Sequence, residues 1–437
     1  MTKTIKYRLL FIVVLFQFGI KAQDSLPISL SRFPFKDFQE LDTNYRTKYP
    51  LVHFEKNNYQ FFTDESKNWN LFYHKMDSLI QFNDRKLNFY HIGGSHLQAD
   101  IYTHDVRTNL QTHWINIPGE RGFVFPFDLA KTNNPGNYEF SSPNKWKSYR
   151  SVTQNKCELD YGLLGAVVTC PDSLISIHFK YDRTEVKPGT SSIRIFHNKG
   201  ELPYYISFGL HEEFITSMFT DSDLGITEVE FSKELDTFNI YFSKKASDAS
   251  LLQISGFQLK NKQPGISYTA IGINGAGLYT YLDCGNFAEQ LKQSPPDFFA
   301  FSVGTNDGNV PYDAFQPEVY KANLEKMMQI VYSANPNCAI LLTVPNDSYY
   351  QKKYLNKNIA REREMMIELA RQYQVPIWDL YGIMGELGSS KKWNLAGLMQ
   401  GDKVHFTSEG YHLKGSLYFD AFLKWMEQMK LLEKDNQ

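Results

Sequence analysis

The sequence predicts an α/β fold: a doubly wound parallel sheet interrupted by an inserted all-β sandwich domain. From about residue 266 onward, apolar strand-like runs alternate with helical patterns, and an isolated run at 87–92 (LNFYHI) has the same apolar character. Continuously apolar strands are typical of a parallel sheet covered by helices on both faces. Between roughly 135 and 265 the apolar period changes to two, which indicates half-buried antiparallel strands.

These observations divide the chain into pieces. A chain of 437 residues exceeds the length at which one hydrophobic core normally keeps growing. We expect residues 24–130 to contain N-terminal helices and the first part of the α/β domain, and residues 266–433 to contain its second part. Residues 131–265 are expected to form the inserted β-sandwich.

The first α/β piece should contain a helix, a strand and a second helix. The stretch NWNLFYHKMDSLIQF places apolar side chains on one helical face, which predicts an amphipathic leading helix. These side chains are Leu71, Phe72, Met76, Leu79 and Ile80. The strand at 87–92 follows, and the segment from Asp100 to Trp114 is expected to be helical.

The middle region reads as a series of short strands. Ile175, Ile177, Phe179 and Tyr181 alternate with polar residues, and the alternation returns in SSIRIF, ITEVEF, TFNIYF and LLQISGFQL. Turn clusters such as VKPGT, HNKG and TDSDLG separate these segments. This spacing is typical of a β-sandwich.

The last region alternates strands with helices. The predicted strands are YTAIGI, DFFAFSVG, CAILLTVP and PIWDL. The predicted helices are FAEQLKQ, AFQPEVYKANLEKMMQIVYS, LNKNIAREREMMIELARQY and a last one around GSLYFDAFLKWMEQM.

Composition and charge narrow the classes of function that the chain could have. With 42% hydrophobic and 22% charged residues, the chain has the composition of an ordinary globular protein. The formal net charge is −2, and a nucleic-acid partner is not expected because such proteins normally carry a basic stripe.

Residues 1–23 resemble a secretory signal peptide. Lys3, Lys6 and Arg8 precede the apolar run LLFIVVLFQFGI, and KAQ follows it. The alternative is a membrane anchor, but this run is much shorter than the ~20 residues that a spanning helix needs. We therefore expect export to the periplasm or the extracellular space, with no stable membrane insertion after cleavage.

The cysteines lack the spacing of a metal site. Cys157, Cys170, Cys284 and Cys338 show no paired CxxC pattern, so zinc binding through thiolates is not expected. Cys157 and Cys170 lie close enough in sequence to bridge neighbouring strands, and buried free thiols are the alternative.

Four motifs lie at predicted strand ends, where reactive groups collect in open α/β sheets. They are GGSH at 93–96, GINGAG at 272–277, FSVGTNDGN at 301–309 and GDKVHFTSEGYH at 401–412. Each has an ordinary explanation by itself: a helix-capping turn, a loop, an Asx turn and a chance pairing of loop residues. Together they supply a serine, amide donors and an aspartate three residues before a histidine. That spacing allows the carboxylate to orient the imidazole as a general base.

In this order, GGSHLQAD, GINGA, GTND and DKVH resemble the conserved blocks of the SGNH (GDSL-like) hydrolases. The chain is most similar to the exported two-domain type, which includes peptidoglycan and polysaccharide O-acetylesterases. The resemblance implies a flavodoxin-like α/β domain interrupted by a jelly-roll, carbohydrate-binding-like sandwich. It covers nearly the whole chain after residue 23.

The resemblance also assigns roles to residues. It implies Ser95 as nucleophile, His405 as general base and Asp402 as its orienting acid. The oxyanion would be held by the Ser95 N–H, the Gly275 N–H and the Asn306 side-chain amide. Gly272 and Gly277 are alternatives to Gly275. No metal or cofactor is implied.

One residue departs from the family pattern. Gly94 stands where the family has Asp in Gly-Asp-Ser, which puts the bracing of the serine loop in doubt.

The function expected from these residues is a serine esterase that removes O-acyl groups, chiefly O-acetyl, from an acetylated glycan such as peptidoglycan or another polysaccharide. Two other classes compete with it. One is a non-catalytic glycan-binding or scaffold protein, favoured by Gly94. The other is a metallophosphoesterase, which would need several Asp and His ligands around two metal ions.

Several further residues have less specific roles. We expect His96 to line the cleft or pack inside, and Asp100 and Asp307 to cap helices or tie loops together. Arg121 is expected in packing, with contact to substrate as the alternative. Tyr204, Tyr205 and Tyr241 either stack on sugar rings or belong to the core.

Overall fold

The computed structural model describes residues 45–63, 66–114, 117–153, 161–182, 189–245 and 250–435. The expected signal peptide at 1–23 and Cys157 lie outside these residues. Within them, no helix is long and apolar enough to cross a membrane.

The strands are short and numerous. They are β1 Tyr59–Gln60, β2 Lys86–Gly93, β3 Gly119–Glu120, β4 Gly122–Val124, β5 Tyr138–Ser141, β6 Lys147–Arg150, β7 Ala166–Cys170, β8 Leu174–Tyr181, β9 Thr190–His197, β10 Tyr204–Ser207, β11 Ile215–Asp221, β12 Ile226–Leu235, β13 Thr237–Lys244, β14 Leu252–Lys260, β15 Gly265–Gly272, β16 Phe298–Ser302, β17 Ala339–Val344, β18 Tyr349–Tyr350, β19 Tyr354–Leu355 and β20 Ile377–Asp379.

The α-helices of the described residues lie before residue 113 and after residue 277. They are α1 Lys67–Phe82, α2 Ser95–Gln98, α3 Tyr102–Thr112, α4 Leu278–Leu282, α5 Phe287–Lys292, α6 Pro317–Ala334, α7 Asn358–Tyr373, α8 Leu380–Met384, α9 Ser389–Leu395 and α10 Ser408–Asp435. Short 3₁₀ turns occur at Phe54–Lys56, Gly209–Phe214 and Tyr312–Ala314.

A central sheet has the strand order β1-β20-β17-β16-β2-β15-β3. All neighbours from β20 to β3 are parallel, and β1 adds an antiparallel edge. Numbered along the chain, its five main parallel strands follow the order 2-1-3-4-5 of flavodoxin-like doubly wound folds. The predicted parallel α/β sheet is therefore present, and all five of its strands were predicted from their apolar runs.

Helices cover both faces of this sheet because alternate side chains of each strand point in opposite directions. Phe89 and Phe298 contact the cluster formed with α1, α3 and α10. Tyr90, Phe299 and Phe301 join the cluster formed with α6 and α7, which continues into the antiparallel sheets. The continuous apolar pattern of these strands follows from this double coverage.

Two antiparallel sheets lie in the chain between β2 and β15. One has the order β10-β13-β8-β5, and the other β11-β12-β9-β14-β7-β6, with β4 also paired to β14. The sheets pack face to face: the Phe140 ring of one stacks on the Phe257 ring of the other, with centroids 4.9 Å apart. Since β4 precedes residue 131, the antiparallel pairing extends beyond the expected range. The domain boundaries at 130/131 and 265/266 remain predictions.

Three local expectations differ in detail. The helix predicted from Asp100 to Trp114 is preceded by the separate short helix α2, because Asp100 adopts a positive φ of 46° between α2 and α3. Helix α1 buries Trp69 and Tyr73, whereas the predicted Leu71 and Ile80 are only half-buried. The last helix begins earlier than predicted, at Ser408.

Cys170, Cys284 and Cys338 are buried, free thiols. The alternative of buried free thiols therefore describes these three residues, and Cys157 lies outside the described residues.

Candidate active site

The predicted site residues converge at the carboxyl edge of the parallel sheet. Strand β2 ends at Gly93, and Ser95 begins α2. The loop with Gly275 follows β15, and Asn306 follows β16. Strands β15 and β16 pair on opposite sides of β2, so the chain reverses its direction of winding there. Such a switch point is where doubly wound folds bind ligands.

Ser95, His405 and Asp402 form a continuous hydrogen-bonded chain. Ser95 Oγ lies 2.8 Å from His405 Nε2. His405 Nδ1 lies 2.8 Å from Asp402 Oδ2. A serine needs a base within this distance to lose its proton, and the base needs a partner that fixes its tautomer.

The loop that carries His405 is held by its own backbone. Asp402 Oδ1 accepts hydrogen bonds from the backbone N–H groups of Val404 and His405, each 3.0 Å long. The backbone N–H of Gln400 donates to the carbonyl of His405 at 2.8 Å, and Met399 forms an isolated β-bridge with Phe406. The imidazole is therefore presented by a rigid turn immediately before α10.

These contacts also set the charge of Asp402. Burial raises the pKa of its carboxyl, but hydrogen bonds from the His405 side chain and from the backbone N–H groups of Val404 and His405 outweigh burial. The pKa of Asp402 consequently lies below its ordinary value. The residue is thus a carboxylate at neutral pH, as an orienting acid requires.

Gly275 and Asn306 lie beside Ser95 and His405 in one cleft of about 600 Å³. Gly275 adopts a φ of +87°, in the left-handed region that favours glycine. The Asn306 side-chain amide donates one hydrogen bond to the Ala276 carbonyl, 2.8 Å long. A primary amide has two N–H donors, so the second remains for a ligand.

The alternatives to Gly275 have packing roles. A Cβ on Gly272 would lie 2.4 Å from the backbone nitrogen of Gln98, so this glycine allows α2 to pack closely on the sheet. A Cβ on Gly277 would lie 2.8 Å from an oxygen of Asp307. Of these three glycines, Gly275 is the one that lines the cleft.

Gly94 allows the Asn306 amide to approach the serine loop. A Cβ at residue 94 would lie 2.8 Å from Asn306 Nδ2 and 3.2 Å from the Ala276 carbonyl oxygen. Both distances are shorter than ordinary contacts, so a side chain here would displace one of these groups. The departure from Gly-Asp-Ser therefore has a steric basis in this chain.

Other contacts brace the serine loop in place of the missing carboxylate. Gln98, on α2, accepts a 2.7 Å hydrogen bond from the backbone N–H of Asn274. Its amide donates to the carbonyl of Asn133 at 3.0 Å. Gln98 thereby ties together the Ser95 helix, the Gly275 loop and the segment around Asn133.

Part of the cleft wall comes from residues that the motifs did not include. Its amide side chains outside the motifs are Asn133, Gln351 and Gln400. Tyr349 and Lys352 also contribute. No periodic pattern marks these residues, because distant loops bring them to the cleft.

His96 packs behind the site. It is buried, and its Nδ1 lies 2.9 Å from the Tyr411 hydroxyl. Burial, together with the charges of Lys414 and His405, holds the pKa of His96 well below its usual range. Of the two roles expected for His96, the structure therefore supports packing.

Asp100 and Arg121 form a buried ionic network. Asp100 Oδ2 lies 2.9 Å from Arg121 Nη2 and 3.1 Å from Arg107 Nη2, and accepts a 2.7 Å hydrogen bond from Asn137. The three charged side chains are each at most 5% exposed. The network joins α3 to the start of the antiparallel sheets, so Arg121 contributes to packing.

Asp307 and Glu362 lie beneath the Asn306 loop. Asp307 accepts a 2.9 Å hydrogen bond from the backbone N–H of Leu278, which ties this loop to the Gly275 loop. Glu362, on α7, is buried against Gly304 and Gly308. Burial raises the pKa of Asp307 to about 6. Burial and the nearby Asp307 raise the pKa of Glu362 well above its usual range.

A metallophosphoesterase would need several Asp and His ligands close together. Across the described residues, no group of three or more His, Cys, Asp or Glu side chains is arranged to hold a metal ion.

Residues 248–413 match the family described as GDSL-like Lipase/Acylhydrolase. The matched region contains Gly275, Asn306, Asp402 and His405. The match covers less than half of the chain, and it agrees with the fold and with the residues at the strand ends.

Solved structures extend the likeness over more of the chain. A peptidoglycan O-acetylesterase is 19% identical, with a TM-score of 0.67, and the alignment covers 82% of this chain and 96% of that one. At this identity the match shows a shared fold. No curated protein matches the sequence.

Two further structures align over a smaller part. A lipase/acylhydrolase from Enterococcus faecalis is 19% identical, with 36% of this chain and 74% of that one covered and a TM-score of 0.28. A GDSL-like lipase from Bacteroides thetaiotaomicron is 18% identical, with 37% of this chain and 76% of that one covered and a TM-score of 0.28.

Proposed function

We propose that this protein is a serine esterase that removes O-acetyl groups from a polysaccharide of the cell envelope, such as peptidoglycan. The observation that carries the proposal is the hydrogen-bonded chain from Ser95 through His405 to Asp402, beside the amide of Asn306. The structural likeness to a peptidoglycan O-acetylesterase supports this choice of substrate.

The first half-reaction transfers the acetyl group to the enzyme. Ser95 Oγ attacks the ester carbonyl while His405 Nε2 takes the hydroxyl proton, and Asp402 stabilises the imidazolium. The carbonyl oxygen becomes an oxyanion that accepts hydrogen bonds from the Ser95 N–H, the Gly275 N–H and the Asn306 amide. The C–O bond to the sugar then breaks, and His405 returns the proton to the departing sugar hydroxyl.

The second half-reaction releases acetate. Water enters the cleft, loses a proton to His405 and attacks the acyl carbon. The bond to Ser95 Oγ breaks and the serine recovers its proton. This sequence leaves the enzyme unchanged and needs no metal or cofactor.

The antiparallel sheets are proposed to act as an inserted, carbohydrate-binding-like sandwich domain. Tyr205 is 66% exposed and Tyr241 is 39% exposed, so these two rings are available to stack on sugar faces. Tyr204 is buried and belongs to the core. Export to the periplasm or the extracellular space, proposed from the N-terminal sequence, would bring the enzyme to such a substrate.

The competing scaffold function depended on Gly94. A side chain at this position would displace the Asn306 amide or the Ala276 carbonyl. Glycine here is therefore compatible with a working oxyanion site, and the esterase is the better-supported function.

The test is acetate release from O-acetylated peptidoglycan and from acetylated xylan. We expect the wild-type protein to release acetate from the peptidoglycan and Ser95→Ala to lose nearly all of this activity. Ser408→Ala is the matched control, since Ser408 lines the same cleft but lies outside the Ser95–His405–Asp402 chain. Equal rates for wild type and Ser95→Ala would contradict the esterase proposal, and release from xylan alone would contradict the peptidoglycan assignment.

A further inference from the structure

The cleft lining has few charged side chains. Among the described residues that line it, Lys352 is the only lysine or arginine, and there is no aspartate or glutamate. The remaining polar groups are mostly amides and hydroxyls, which suit sugar hydroxyls but carry no charge. A single ammonium among neutral donors and acceptors distinguishes an anionic ligand from a neutral one.

Lys352 is held in place by a short hairpin. Strands β18 and β19 pair through Tyr349 with Leu355 and through Tyr350 with Tyr354, so Lys352 lies in the connecting turn. Both Gln351 and Lys352 have positive φ values, 49° and 59°. Non-glycine residues adopt this conformation at a cost, which a turn fixed by its surroundings can sustain.

Two contacts attach this hairpin to the loops of the site. The backbone N–H of Gln351 donates to Asn309 Oδ1, 3.3 Å away, and Asn309 lies three residues after Asn306. The Lys403 ammonium lies 5.0 Å from the Tyr349 ring centroid, and Lys403 follows Asp402. The hairpin therefore contacts the loop that carries Asn306 and the loop that carries Asp402 and His405.

The Lys352 charge remains available to a ligand. Its ammonium lies 3.9 Å from Asp402 Oδ2, beyond hydrogen-bond distance, and its side chain is 69% exposed. Asp402 is already hydrogen-bonded to His405 and to two backbone N–H groups. The neighbouring Lys353 and Lys403 have no acidic partner within the described part of the chain, so positive charge exceeds negative charge around Lys352.

We propose that the substrate is an anionic glycan whose carboxylate pairs with Lys352 while its acetyl ester lies against Ser95. This inference rests on the proposed esterase function and adds the charge of the substrate: in peptidoglycan, the lactyl carboxylate is free only where no stem peptide is attached. The position of Lys352 beside Asp402 places the carboxylate on the esterified sugar itself or on its immediate neighbour. A carboxylate on a remote part of the polymer would not be recognised in this way.

The test uses two sugars that differ in one group. Mono-O-acetylated N-acetylmuramic acid carries a free lactyl carboxylate, and its lactyl carboxamide is a neutral isostere. We expect wild-type kcat/KM to be roughly tenfold higher for the acid, mainly through a lower KM, as for a hydrogen bond to a charged group. Lys352→Gln should bring the two values together, and Lys352→Arg should retain the preference.

Lys353→Gln is the control, because it removes a neighbouring exposed charge that does not line the cleft. It should leave the ratio between acid and carboxamide unchanged. Equal kcat/KM for the two sugars in the wild type, or a preference that survives Lys352→Gln, would overturn the proposal. The proposal would also be overturned if Lys353→Gln lost the preference for the acid as fully as Lys352→Gln. That result would mean that the overall positive charge of the surface, and no contact with Lys352, causes the preference.

A binding measurement separates this inference from the esterase proposal. Calorimetry with Ser95→Ala compares the deacetylated acid with its carboxamide and needs no turnover. If the wild type hydrolyses neither sugar, the esterase proposal fails for this substrate. Tighter binding of the acid that depends on Lys352 would still support the anion site, and equal binding would overturn it.

Discussion

Gly94 and Asn306 lie so close that a Cβ on residue 94 would come within 2.8 Å of the Asn306 side-chain nitrogen. Gly94 has a φ of −102°, outside the left-handed region, so the sign of φ does not require glycine here. The requirement comes from the neighbouring amide.

Gly94→Ala is therefore expected to lower kcat for acetyl ester hydrolysis, by roughly tenfold or more, because the Asn306 amide must move. Gly94→Asp should lower it further. The measurement is steady-state kinetics with 4-nitrophenyl acetate. Gly136→Ala is the control, since a Cβ there meets no atom within 4 Å. Full activity in Gly94→Asp would show that the short distance between Gly94 and the Asn306 amide does not affect catalysis.

Asn306→Ala should reduce kcat by ~10²–10³ with little change in KM, because the amide is expected to bind the oxyanion more strongly than the ester carbonyl. Asn306→Asp, which keeps the shape but loses both donors, should be at least as slow. The double variant Gly94→Ala/Asn306→Ala should lose little more kcat than Asn306→Ala alone, because both substitutions act on the Asn306 amide. Additive losses would argue against this shared mechanism.

The Asp100 network predicts a large effect on stability. Burial raises the pKa of Asp100, but Arg107 and Arg121 outweigh burial and hold this pKa well below its usual range. Asp100→Asn would leave two buried guanidinium groups without a carboxylate. We expect the free energy of unfolding to fall by about 3–5 kcal/mol in urea denaturation.

Asp105→Asn is the matched control on α3, because Asp105 pairs with the more exposed His412. A loss for Asp100→Asn no greater than for Asp105→Asn would contradict the assigned role of the network.

The acids beneath the Asn306 loop predict a pH-dependent stability. The folded-state pKa of Asp307 is raised to about 6, and that of Glu362 is raised well above its usual range. The folded protein therefore binds these protons more tightly than the unfolded chain. Their contribution to stability is complete below about pH 4 and is lost as the pH rises through 6 and beyond.

Glu362→Gln, which is neutral at every pH, should flatten this decline. We expect the wild type to lose roughly 1–3 kcal/mol more than Glu362→Gln between pH 5 and pH 8. The measurement is the free energy of unfolding in urea at both pH values. Glu364→Gln, on an exposed position of the same helix, should behave like the wild type. Parallel pH profiles for all three proteins would refute the raised pKa of Glu362.

The parallel sheet and the residues at its strand ends could be predicted because their signals are local. Apolar runs and glycines mark β2, β15 and β16, and the site residues lie within a few positions of those strands. The wall of the cleft could not be predicted in this way. The turn with Lys352 reaches the site through one contact of Gln351 with Asn309, and Asn133 reaches it through Gln98.

The reason for glycine at residue 94 also could not be predicted from the sequence. Compared with the family pattern, it is a missing carboxylate and appears as a defect. The reason for glycine is a distance to Asn306, more than two hundred positions further along the chain, which no local pattern contains.

Ser95 and His405 are separated by 310 positions, and the strands of both antiparallel sheets lie between them in the sequence. During synthesis, Ser95 is made 310 residues before His405. A nascent chain that has not reached residue 405 lacks the imidazole that the proposed mechanism needs, so we expect it to be inert toward esters. Contacts this remote in sequence also form slowly, so the onset of activity should be a late event in folding.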